Sequence, residues 1–146
     1  MDTCLKDWLD IGIKAFGLIA VIIAALGYFK QLKIKRGEWL QLLFEKFYEN
    51  KSYKEVRKWL DSEELNQKVN IDDTTISEED EQFTDFLNFF EFISKLESDG
   101  QLRLKDIEDM FDYYLRKLKQ SEVSSNWINK YGFEKLKNLL NKIDNE

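Results

Sequence analysis

The chain has 146 residues, with no proline, no histidine and one cysteine, and its 28 acidic against 22 basic side chains give a net charge of −6. Without histidine there is no Ser-His or Cys-His nucleophile pair, no imidazole metal ligand and no near-neutral switch, and Cys4 alone can form neither an internal disulfide nor a CxxC site. The length suits one domain plus a short extra element; 43% apolar and 14% aromatic residues supply a core, and the missing proline and only six glycines favour an all-α fold.

Charge divides the chain. Residues 1–36 carry six basic and three acidic side chains, whereas 37–146 carry 16 basic and 25 acidic ones, a net of −9. The expected organisation is an N-terminal anchor over 1–36 and an acidic helical domain of about five helices over 37–146. So acidic a domain disfavours nucleic acid as a partner.

The first predicted element is a membrane helix. Ala15 to Phe29 contains no charge, and counting from Ile11 gives nineteen residues interrupted only by Lys14, about 28 Å of helix and long enough to span if Lys14 snorkels. Trp8 at one end and Tyr28 and Phe29 at the other match an aromatic belt. A secretory signal would need a positive start, yet residues 1–10 hold three Asp and one Lys. A buried core helix would not need the cluster Lys30, Lys33, Lys35 and Arg36 at its end. That cluster puts the C-terminal domain in the cytoplasm and the N-terminus outside by the positive-inside rule, which predicts a single-pass protein of the cell's inner membrane. Along one face, Gly17, Ala20, Ala24 and Gly27 recur at helical spacing and continue back through Lys14 and Asp10. Small residues of this kind let membrane helices approach, and intramembrane charges face a bundle interior, so the stripe points to a homo-oligomer; the alternative is ordinary Gly and Ala content with Lys14 at the interface.

After Gly37 the apolar spacing remains helical through Trp39, Leu40, Leu43, Phe44, Phe47 and Tyr48. A break at residues 50–52 precedes a short helix carrying Tyr53, Val56, Arg57 and Leu60, then another turn or two over 62–69 and a polar loop over 70–75. Ser77 followed by Glu78, Glu79 and Asp80 reads as a capped helix start. The helix it opens is apolar around most of its circumference, with Phe83, Phe86, Leu87, Phe89, Phe90, Phe92, Ile93 and Leu96, and is expected at the centre of the bundle. Gly100 is its expected stop. A further helix covers about 105–120, and one or two more cover 127–143 with a break at Gly132.

The loop around Gly100 superficially matches a calcium-binding helix-loop-helix, but with Gly100 as the sixth position the first is Lys95 and the twelfth Asp106, so the required carboxylates are missing. No GxxxxGK[ST], GxGxxG or HExxH occurs. Acidic pairs such as Glu78/Glu79 and Asp106/Glu108 suit solvated helix starts better than catalysis. The expectation is a chain that is no enzyme and needs no cofactor. One constellation stands out: Thr84, Asn88, Glu91 and Lys95 form a polar stripe on the central helix. It is either the solvent side or a buried contact in which Glu91 pairs with Arg57 or Arg116.

The order of an N-terminal membrane helix, Trp39, Phe44, Phe47-Tyr48, Glu55-Val56-Arg57 and Leu60-Asp61, followed by Phe86-Leu87-Asn88-Phe89-Phe90-Glu91, Gly100, Asp106, Phe111 and Tyr113-Tyr114, resembles a broad group of uncharacterised bacterial membrane-anchored helical proteins. The resemblance covers residues 10–116 and implies architecture, not an activity. The layout is also similar to small CRISPR-associated and other antiphage membrane proteins that assemble to breach the membrane. Two expectations follow: a self-assembling, pore-forming or otherwise membrane-perturbing effector or regulator, or a tethered adaptor whose helical domain docks a cytosolic protein.

Overall fold

The first 49 residues contain no proline to break a helix, and α1 runs without interruption over Asp2–Glu49 in a computed structural model. The structure describes the backbone of residues 2–71 and 76–143 and, within them, the side chains of 17, 19, 21–71 and 76–143. Among the described residues there are six further helices, α2 (Lys51–Asp61), α3 (Leu65–Lys68), α4 (Glu78–Ser98), α5 (Leu104–Gln120), α6 (Glu122–Tyr131) and α7 (Glu134–Lys142), and no strand. The fold is all-α. The chain divides into two compact units, Met1–Trp39 and Leu40–Glu146.

Among the described residues of the first unit, α1 is the only element. In the second, each boundary has a local cause. Asn50, in an extended conformation, ends α1 and caps α2 by accepting a hydrogen bond from the Tyr53 amide at 3.2 Å. Ser77 and Asp80 form a reciprocal capping box at the start of α4. Asp80 goes further than its first-turn position suggests: its buried carboxylate also accepts from the Asn70 amide at 3.1 Å, pinning the preceding loop. α4 ends at Gly100, whose φ of 72° lets Gln101 N–H return to the Leu96 carbonyl at 2.9 Å. Gly132, with φ 75°, ends α6 in the same way.

α6 begins earlier than the apolar pattern indicates, at Glu122 rather than near Trp127. Its first turn is polar, so periodicity gives no signal there. The start is set by Ser121, which accepts from the Ser124 amide at 3.2 Å.

α4 packs against α2 and α7, and α5 against α2, α6 and α7. The core is aromatic. Phe47 from the last turn of α1 is fully buried among Phe86, Phe89, Phe90, Phe111 and Tyr114, with ring centroids 5.0 to 5.7 Å apart. Most of these pairs are edge-on or tilted, the arrangement that the ring quadrupole favours. Phe83, Leu87, Ile93, Ile107, Leu115 and Leu118 complete the interior, none with exposure above zero.

Candidate functional site

On α1 the described side chains of the run that sequence assigns to the membrane are uncovered. Ile19, Val21, Ile22, Ile23, Leu26, Tyr28 and Phe29 are all exposed by half or more, a contiguous apolar surface of a kind that water-soluble proteins seldom leave open. Among the described residues no helix is long and apolar enough to cross a membrane. The run at 11–29 includes 11–16, 18 and 20, whose side chains lie outside the described residues.

The expected association stripe is described in part. Gly17, Ala24 and Gly27 are exposed, and an added methyl group at either glycine would meet nothing within 4 Å. The side chains of Asp10, Lys14 and Ala20 lie outside the described residues. Lys30, Lys33 and Lys35 are exposed and Arg36 half-buried.

In the second unit, several residues that carry the resemblance converge. Arg57 is buried, and its guanidinium donates to the Phe47 carbonyl and, at 3.3 Å, to the Tyr48 carbonyl, two acceptors left open by the end of α1. The same group lies 4.7 Å from the centre of the Phe47 ring, 4.9 Å from that of Tyr48 and 6.0 Å from that of Tyr114. Its positive charge sits where the helix dipole is negative. Next to it, Tyr113 donates its hydroxyl to Asp61 at 3.0 Å, which pushes the phenol pKa up. Tyr114 is also raised, first by burial and then by the Asp61 charge, with Arg57 opposing. Phe44, Tyr48 and Tyr113 each expose 40% or more, and the Phe44 and Tyr48 rings lie 4.5 Å apart.

The polar stripe on α4 divides between the two alternatives, and only the cation for Glu91 is corrected. Asn88 and Lys95 face solvent and Thr84 is half-buried. Glu91 takes neither suggested cation: its carboxylate accepts from the Lys135 amide at 3.1 Å and the Leu136 amide at 2.7 Å. Both lie in the first turn of α7, whose own N-cap, Phe133, makes no side-chain bond. Glu91 is therefore a cap supplied from another helix, and the donors that satisfy it are backbone groups. Arg116 is held by Asp112 at 2.8 Å, and Arg57 by the end of α1. Arg57, Asn88, Glu91 and Arg116 do not form one site.

A cleft of about 400 Å³ opens between the end of α2 and the α5–α6 junction, lined by Trp59, Glu63, Asn66, Lys117, Ser121 and Glu122 among others. Glu63 on its rim has φ 60° and occupies the left-handed position of a helix stop, closed by Glu64 N–H to the Trp59 carbonyl at 2.9 Å. The hydroxyl of Ser121 is already engaged as the cap of α6. Sequence reasoning does not reach this cleft, because its walls come from segments about fifty residues apart. The burial of Arg57 does have a signal: it follows Val56 and precedes Leu60 on the apolar face of α2.

Comparison with protein-family models, with curated proteins and with solved structures finds no match for this chain.

Proposed function

We propose that this chain is a non-enzymatic, single-pass membrane protein whose N-terminal helix anchors it and gathers copies together, with the bundle from Leu40 onward in the cytoplasm. The observation that carries this reading is the uncovered apolar surface of α1 between Ile19 and Phe29. Each large apolar side chain removed from water is worth about 1.5 to 3 kcal/mol, and a bilayer covers all sides of the helix at once. The nineteen residues Ile11 to Phe29 and the basic cluster after them support a full span with the bundle inside. Gly17, Ala20, Ala24 and Gly27 supply a face for close helix approach. The likeness of layout to small antiphage membrane proteins supports a membrane-perturbing role for the assembly.

The test is fractionation of cells expressing the whole chain, followed by an alkaline carbonate wash and sizing in detergent by light scattering. The reading expects protein that resists carbonate, dissolves in detergent and runs as a closed oligomer that Gly17→Leu with Ala24→Leu breaks apart. Release by carbonate would sink the anchor; a detergent monomer would sink the assembly.

A second reading is favoured by the exposed aromatic side chains Phe44, Tyr48 and Tyr113. Here the helix is only a tether, and the bundle docks a cytosolic protein through those side chains. Replacing residues 11–29 with an unrelated membrane span then preserves function, whereas Tyr113→Ala with Phe44→Ala abolishes it.

A further inference from the structure

The band that follows the apolar run is built differently from a one-sided docking face. Lys30, Lys33, Lys35 and Arg36 fall within seven residues, and no acidic residue occurs between Asp10 and Glu38. Six helical steps rise about 9 Å, close to the depth of one headgroup layer. At about 100° per residue, Lys30, Lys33 and Arg36 cover one side of α1 and Lys35 points away from them. A protein partner lying along one face would leave part of this charge unanswered. A shell of lipid headgroups would meet all of it.

The flanking side chains fit the same depth. Tyr28 and Phe29, 60% and 65% exposed, precede the band, and Trp39, 39% exposed, follows it; Leu32 and Ile34 are exposed within it. Aromatic side chains with a polar edge favour the boundary between acyl chains and water. Interleaved apolar and cationic side chains let the helix dip toward the acyl chains while its ammonium groups stay among phosphates. The need for such a contact is also electrostatic. The 110 residues that follow carry a net charge of −9 and are repelled by an anionic leaflet.

We infer that Lys30, Lys33, Lys35 and Arg36 form a collar that selects anionic phospholipid headgroups around α1. The inference rests on the membrane-anchor reading and adds a lipid preference to it. The collar recruits a ring of negatively charged lipid just ahead, in sequence, of the acidic segment.

The experiment uses the whole purified chain reconstituted into vesicles of equimolar phosphatidylglycerol and phosphatidylcholine, with a trace of one or the other spin-labelled. Flotation first reports whether the chain is membrane-bound. Electron paramagnetic resonance then gives the fraction of each labelled lipid immobilised at the protein. The expected result is several-fold greater immobilisation of phosphatidylglycerol, lowered by salt, levelled in K30Q/K33Q/K35Q and retained in K30R/K33R/K35R. The control K51Q/K54Q/K68Q removes three charges from the bundle and leaves the preference unchanged. Equal immobilisation of the two lipids by a protein that floats overturns the collar and leaves the anchor standing. A protein that does not float overturns the anchor itself.

Discussion

Arg57 lies over the ring of Phe47 and bonds to the carbonyl of the same residue, so one side chain of α2 holds both the core aromatic and the open backbone end of α1. Removing it exposes two losses together. Arg57→Ala strips the carbonyls in the last turn of α1 of their hydrogen-bond donor, and we expect a cost of about 3 kcal/mol. Arg57→Lys keeps the charge but loses the fork that reaches two carbonyls, and should cost roughly half as much. Urea unfolding followed by tryptophan fluorescence measures both. Equal stability of wild type and Arg57→Ala would show that the clamp contributes nothing.

Glu91 caps a helix it does not belong to, so its removal should act on α7. Glu91→Ala is expected to cost about 1 to 2 kcal/mol, and Glu91→Gln, which keeps an acceptor for one amide, less. Hydrogen exchange gives the sharper reading: amides of residues 135–140 lose protection in Glu91→Ala before those of α4 do.

Backbone conformation makes opposite predictions at two helix ends. Gly132→Ala places a side chain at φ 75° with open space around it, so the penalty is conformational alone and amounts to about 1 kcal/mol. Glu63→Gly removes such a penalty at φ 60° and should stabilise by up to about 1 kcal/mol. The lost partner is weak, since Lys117 stands 3.9 Å from a carboxylate that is 85% exposed. Shifts of the unfolding midpoint in opposite directions would support both assignments.

Tyr53 sets a pH limit. Burial first, and then the Asp85 charge, raise its pKa above the usual value of 10.0. The unfolded chain therefore releases this proton at lower pH than the folded one. The contribution is fully present below pH 10 and is lost as pH rises through the folded pKa. Tyr53→Phe should flatten the decline in stability above about pH 10, where lysines otherwise titrate alike in both proteins. An unchanged slope would contradict this.

Helix positions were legible because the signals are local. Ser77 with Asp80, Gly100 and Gly132 each act within four residues of themselves, and the apolar spacing of α4 marks its buried side chains, with Phe92 as the exposed exception. What connects the helices was not legible. Glu91 meets amides 44 and 45 residues away and Tyr113 meets Asp61 across 52, distances over which a single sequence carries no pairing information. The polar stripe on α4 was visible as a pattern, but the charge arithmetic that suggested Arg57 or Arg116 as partner overlooked the donors at the start of another helix.

The burial of Phe47 bears on where this protein can be cut. A protease acting between Lys30 and Trp39 would release a fragment that keeps Leu43 and Phe47 and therefore its aromatic centre. Cleavage in the bend at Asn50 would shed those residues with the helix and leave a gap ringed by Phe86, Phe89, Phe90 and Phe111. The loop that looks like the natural seam is thus the wrong place to divide the chain, and the viable one lies inside an unbroken helix.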